Sequence, residues 1–234
     1  MPQPTLSWDR APADPKAVAV VLHGGAVSSA AVNRVWSHNV VRLVPFAWSL
    51  AHRVPGPLAV ARVRFGVRGW NAEAQAPVAD ARWALRQIRD RYPERPIAVI
   101  GHSMGGRTAL YVADEPGVEL VLGLAAWVEP GDPLPTNGVR SVFMHSDRDR
   151  ITPIAGPRRV VETLRAQERP ASLIRIAESD HAMLHRSGVW TRLVTETVTG
   201  HFAPALGVSW RPRPGPVGEV VASVLHDDEA FVDI

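Results

Sequence analysis

The chain has 234 residues, 46% of them hydrophobic, enough for one α/β domain whose core is buried by helices on both faces of a sheet. Its 26 basic residues are offset by 23 acidic ones and dispersed along the chain, so a net charge of +3 with a sequence pI near 10.1 does not indicate a nucleic-acid partner. The absence of cysteine excludes disulfides, thiolate catalysis and cysteine-based metal sites. Residues 1–14 contain no basic segment followed by an apolar core, and no apolar run is long enough to span a bilayer. A cytoplasmic location without a membrane partner is therefore expected.

In chain order, Thr5 to Trp8 is an expected edge strand, and Ala17 to Leu22 a valine-rich strand that ends in His23-Gly24-Gly25-Ala26. A helix is expected over Asn33 to Ala51, kinked at Pro45, then a strand over Leu58 to Phe65 and a helix over Ala76 to Arg91. The strand Ile97 to Ile100 runs into Gly101-His102-Ser103-Met104-Gly105, followed by a helix over Gly106 to Asp114. Further strands are expected at Leu120 to Ala126, Ser141 to Met144 and Ser172 to Ala177, with helices at Pro157 to Gln167 and Ser187 to Phe202. Such alternation produces a mostly parallel sheet with right-handed crossovers. Residues 1–209 form one domain in this reading, and residues 210–234, opening on a proline-rich stretch, an extended C-terminal tail.

Gly-x-Ser-x-Gly between a strand and a helix is the sequence form of a nucleophile elbow. The tight turn forces Gly101 and Gly105 to lack side chains and lifts the Ser103 hydroxyl above the sheet edge. Ser103 is thus the candidate nucleophile. In acyl transfer, negative charge builds on the former carbonyl oxygen, and each preorganised N–H donor there is worth roughly 3 to 4 kcal/mol. Met104, directly after the serine, supplies one such donor, and Gly25 or Ala26 the other. His23 is read as a brace for its loop. Downstream, Ser179-Asp180-His181 lies in a loop beyond a strand, where a general base has both mobility and access, and His181 is the candidate. His102 and His185 are read as bystanders. After the strand at Ser141 to Met144 come Asp147 and Asp149, either of which has the position to orient His181.

The order serine, aspartate, histidine, each after a strand, resembles the α/β-hydrolase family over residues 16–202. The segment His145-Ser146-Asp147-Arg148-Asp149 to Pro153 is similar to the family's His-Gly-x-x-Asp-x-x-x-Pro, with Ser146 in place of glycine, and the resemblance assigns the carboxylate to Asp149. Asp147 is left to cap the turn or pair with Arg148 or Arg150. Trp127 to Pro135 leaves no room for the helical cap found in many family members, and the chain looks most like the small uncapped esterases and dienelactone hydrolases. The resemblance implies a Ser-His-Asp triad that cleaves a carboxylic ester or thioester through an acyl-enzyme, with a small-molecule substrate and no metal or organic cofactor. Acyl transfer, amide hydrolysis or perhydrolysis on the same triad, and a catalytically silent binding protein, are the alternatives. Trp127, Trp70 and Met183 are expected at the pocket wall, with core packing the equal alternative for the two tryptophans. Arg148, Arg150, Arg158 and Arg159 are expected to form a solvated face, with preference for an anionic substrate as the alternative. The protein is expected to be a monomer or homodimer.

Overall fold

The computed structural model describes residues 2–234. The chain runs β1 (Thr5–Arg10), β2 (Ala17–Leu22), α1 (His38–Val41), α2 (Val44–Arg53), β3 (Leu58–Arg64), α3 (Ala76–Arg91), β4 (Ile97–His102) and α4 (Met104–Tyr111). It continues through β5 (Val118–Leu124), β6 (Arg140–Ser146), α5 (Ala155–Ala166), β7 (Ala171–Ile176), α6 (Ser187–Leu206), α7 (Pro216–Leu225) and β8 (Phe231–Asp233). The eight strands form one sheet in the order β1-β3-β2-β4-β5-β6-β7-β8, parallel throughout except for the antiparallel edge pair β1 and β3.

β2 is apolar at every position, and β4 from Ile97 to Ile100, because both faces are covered. In β2, Ala17, Ala19 and Val21 join one buried cluster while Val18, Val20 and Leu22 join another, and β4 divides its residues in the same way, Ala98 and Ile100 against Ile97 and Val99. Side chains alternate across a strand, so a continuous apolar run implies helices on both sides. Here α2, α6 and α7 cover one face, and α3 and α4 the other. No helix among the described residues is long and apolar enough to cross a membrane.

Two expectations need correction. The single helix over Asn33 to Ala51 is a loop followed by α1 and α2, because the Asn33 side-chain amide donates to the carbonyls of Phe65 (3.0 Å) and Val67 (2.8 Å) and ties residues 33–37 to the β3 end. Pro45 lies in the first turn of α2, where its missing N–H costs nothing, and starts that helix rather than kinking a longer one. Residues 210–234 are extended only at first: α7 buries Val217, Val221 and Val224 in the main core, and β8 pairs with β7 to extend the sheet. Residues 125–139, between β5 and β6, contain neither helix nor strand, so nothing in that connection caps the sheet edge.

Candidate active site

The site is assembled at the carboxyl ends of β2, β4, β6 and β7. Between β4 and α4, Ser103 has φ 53° and ψ −117°, a conformation that costs a residue with a side chain roughly 1–3 kcal/mol. The surrounding backbone enforces it. The Ser103 N–H donates to the Leu124 carbonyl (2.9 Å), and the Ser103 carbonyl accepts from Gly106 (2.9 Å), Arg107 (3.2 Å) and Trp127 (3.2 Å). A Cβ on Gly101 would lie 2.0 Å from the Gly105 oxygen, and one on Gly105 would lie 2.4 Å from the Leu22 oxygen, so neither position accepts alanine.

His181 lies in the loop after β7, with its Nε2 3.1 Å from Ser103 Oγ and its Nδ1 2.8 Å from Asp149 Oδ2. A carboxylate only accepts, so Nδ1 carries the ring proton and Nε2 presents its lone pair to the serine hydroxyl. Asp149, 1% exposed at its side chain, follows β6. Its Oδ1 accepts the N–H groups of Ile151 (2.8 Å) and Thr152 (3.0 Å), and its Oδ2 accepts the Thr152 hydroxyl (2.8 Å). His145 Nε2 stands 3.3 Å from the same oxygen and 2.9 Å from the Thr152 carbonyl. Burial alone would raise the Asp149 pKa; the donors from His145, His181, Thr152 and Ile151 outweigh it and hold the carboxyl well below the ordinary range.

Asp147 is exposed and pairs with neither neighbouring arginine: Arg148 reaches Glu178 (3.4 Å), and the Ser146 hydroxyl accepts the Arg148 N–H (3.0 Å), closing the turn in place of the expected glycine. His185 pairs with Asp180 in the turn before α6, remote from the serine hydroxyl.

Of the two backbone donors considered upstream, Ala26 is already committed, its N–H bonded to the Arg68 carbonyl at 2.8 Å. The N–H groups of Gly25 and Met104 have no acceptor among the described residues. The two residues adjoin, since a Cβ on Gly25 would fall 2.3 Å from Met104 Cε, and Met104 opens α4, whose dipole favours negative charge there. His23 is the expected brace, with Nδ1 donating to the Gly24 carbonyl (2.6 Å) and Nε2 accepting the Phe65 N–H (3.1 Å).

Met183 lines a groove beside His181. Trp70 is 3% exposed and meets the Trp127 ring edge-on, with centroids 6.0 Å apart, and the Arg107 guanidinium lies in the corner between them, 4.3 and 4.4 Å from the two ring centroids. Arg107 in turn donates twice to Asp132 Oδ1 (3.0 and 2.7 Å), which also accepts from Tyr111 (2.9 Å). These contacts pin the uncapped β5–β6 connection to α4.

Three residues near the site escape the sequence reading: Thr152, His145 and His102. The spacing of four between His145 and Asp149 was the available signal for one of them. His102, read as a bystander, is 1% exposed and donates Nε2–H to the His181 carbonyl at 2.9 Å, with the two rings 5.0 Å apart. Burial and the nearby His181 push its pKa down to about 3, so it is a neutral donor that holds the His181 loop. No group of three or more His, Asp or Glu among the described residues is arranged to hold a metal ion.

No curated protein matches this chain by sequence. Solved structures share the fold at low identity. An α/β serine hydrolase homologue from Coxiella burnetii superposes with a TM-score of 0.62 at 15% identity over 83% of this chain and 90% of that one. An α/β serine hydrolase without lid from Xanthomonas campestris gives 0.61 at 17% identity over 88% and 90%. Esterase 2 of Thermogutta terrifontis, in its apo form, gives 0.66 at 15% identity over 88% and 91%. The family described as serine aminopeptidase, S33, matches residues 13–140, which include Gly25, Ser103 and Met104. With that match over more than half its length, and with this sheet and elbow, the chain belongs to the serine aminopeptidase S33 family of α/β-hydrolases, in an uncapped form.

Proposed function

We propose that the chain hydrolyses carboxylic esters, thioesters included, through an acyl-enzyme on Ser103. The observation that carries the reading is the unbroken line from Ser103 Oγ to His181 Nε2 (3.1 Å) and from His181 Nδ1 to Asp149 Oδ2 (2.8 Å). His181 takes the hydroxyl proton as Ser103 Oγ bonds to the carbonyl carbon and the C=O electron pair moves onto oxygen. The N–H groups of Met104 and Gly25 receive that oxyanion, and Asp149 stabilises the imidazolium. Collapse expels the alcohol or thiol, which takes the proton from His181. Water then gives a proton to His181, bonds to the acyl carbon and releases the acid as Ser103 recovers its hydrogen.

The family's description points to peptides, and an aminopeptidase must hold a substrate ammonium. On the loops after β5 and β6, Asp132 is engaged with Arg107, Asp149 with two imidazoles and Glu129 with the Trp127 N–H, leaving the exposed Asp147 as the carboxylate there without a side-chain partner among the described residues, which favours a neutral ester. The test is hydrolysis of p-nitrophenyl esters and of an aminoacyl p-nitroanilide by wild type and Ser103→Ala. Ester turnover that falls by at least about 10³ in the variant is expected. Turnover that persists in the variant, or a preference for the anilide, rejects the reading. Fluorophosphonate labelling that requires Ser103 distinguishes a narrow substrate range from an inert serine.

A further inference from the structure

Ten large hydrophobic residues are exposed among the described residues, and five of them, Trp36, Val41, Val44, Trp48 and Leu184, line two adjoining grooves of about 370 and 630 Å³ that share Pro45 and Leu184. Trp36 is 67% exposed, Trp48 50% and Leu184 70%. The grooves lie between the α1–α2 segment and the start of α6, and their inner wall is Ala182 to Leu184, directly after His181. An apolar face of this size, open to water, marks an interaction surface.

Charge indicates what covers it. No aspartate or glutamate stands between Asp14 and Glu73, or between Asp180 and Glu196, the two stretches that build this face. Arg42, Arg53 and Arg192 line the grooves, and Arg34 and Arg53 lie over the rings of Trp36 and Trp48 at 5.8 and 5.6 Å. None of these four guanidiniums meets a carboxylate among the described residues. In a two-fold dimer through this face the same patch meets itself, placing arginine against arginine with no acid to answer it. Exposed indole rings interleaved with unpaired arginines fit instead a boundary that is apolar within and anionic at its rim, where tryptophan sits at headgroup depth and guanidiniums reach phosphates.

We infer that the α1–α2 face, with Trp36, Trp48 and Leu184, docks the enzyme on an anionic lipid surface, with the groove leading to the His181 loop turned toward that surface. Peripheral docking needs no spanning segment, so the lack of a membrane-crossing helix among the described residues is compatible with it, and the proposal departs from the expectation of no membrane partner. The inference concerns binding and stands whether or not Ser103 cleaves esters.

The full chain is sedimented with vesicles of phosphatidylcholine alone and of phosphatidylcholine carrying about one third phosphatidylglycerol, at low and high salt, in parallel with Trp36→Ala/Trp48→Ala and Arg42→Ser/Arg53→Ser. Binding to the anionic vesicles that weakens in salt, and a partition coefficient lowered on the order of tenfold or more in each double variant, are expected. Unchanged thermal unfolding midpoints show that the variants fold. Equal binding to both vesicle types, no binding to either, or binding untouched by the substitutions overturns the inference. So does a dimer in solution that either double variant splits, since a second copy would then be the occupant.

Discussion

Two carboxylates stand on the loops that follow β5 and β6, and both are almost withdrawn from water, Asp132 at 3% and Asp149 at 1% side-chain exposure. They differ in their counter-charges. Asp132 faces Arg107, a fixed guanidinium cation that itself lies in the corner of the Trp70 and Trp127 rings. Asp149 faces the imidazoles of His181 and His145, a side-chain type suited to passing protons, with Thr152 filling its remaining lone pairs. A fixed partner makes a buried carboxylate a strut, whereas a titratable partner that also touches a hydroxyl lets it assist a proton transfer. The strut fixes the open β5–β6 connection, and the second carboxylate sets the tautomer of His181.

The comparison is broken most severely at Asp149. Asp149→Asn keeps the volume but offers His181 Nδ1 an amide in place of a fixed acceptor, so kcat/KM for p-nitrophenyl acetate is expected to fall on the order of 10⁴-fold. A loss below tenfold would mean that Asp149 is also only a strut. Asp132→Ala should do the reverse. It leaves the 11%-exposed Arg107 side chain without its partner and should cost about 3–5 kcal/mol in urea unfolding, while fluorophosphonate labelling of Ser103 continues.

The next effect separates the sites by pH. Burial pushes His102 down to about 3 and His23 down to about 4, against an ordinary value of 6.5. Burial and the nearby Arg140 likewise bring His201 down to about 4. As pH falls below 6.5 the unfolded chain therefore takes up three protons that the folded chain refuses. Stability is complete above that pH and is lost toward pH 4, at up to about 4 kcal/mol per pH unit. The depressed Asp149 carboxyl acts in the same direction only below about pH 4, once the unfolded carboxylate protonates. Urea unfolding at a series of pH values measures the slope, and His102→Gln should lower it by about one third. The same variant gives the smallest expected effect, a kcat lowered about tenfold with KM unchanged, as expected for a residue that positions His181 without touching substrate. A change in KM alone would remove His102 from that role.

Much of this was legible in the sequence because it is written in local contacts. The apolar runs of β2 and β4 announce strands buried on both faces, and the elbow needs glycine at 101 and 105 whatever surrounds it. The bounds of α3 follow from its own periodicity and its proline at the first turn. Asn33 defeated the helix expected across it because its amide is claimed by carbonyls more than 30 residues away. The tail was misread for a related reason: Phe231–Asp233 is too short to signal a strand until β7 offers it an edge.

The sequence by itself determined the fold class, the strained serine and the order of the three candidate groups, since each depends on side-chain periodicity or on steric limits within a few residues. Only the tertiary structure decided that Ala26 is spent on Arg68, that Trp70 and Trp127 both lie against Arg107, and that His102 grips the His181 loop. The physical reason is that a hydrogen-bonding group or an aromatic face can serve one partner at a time, and which partner claims it is settled by residues far away in the chain.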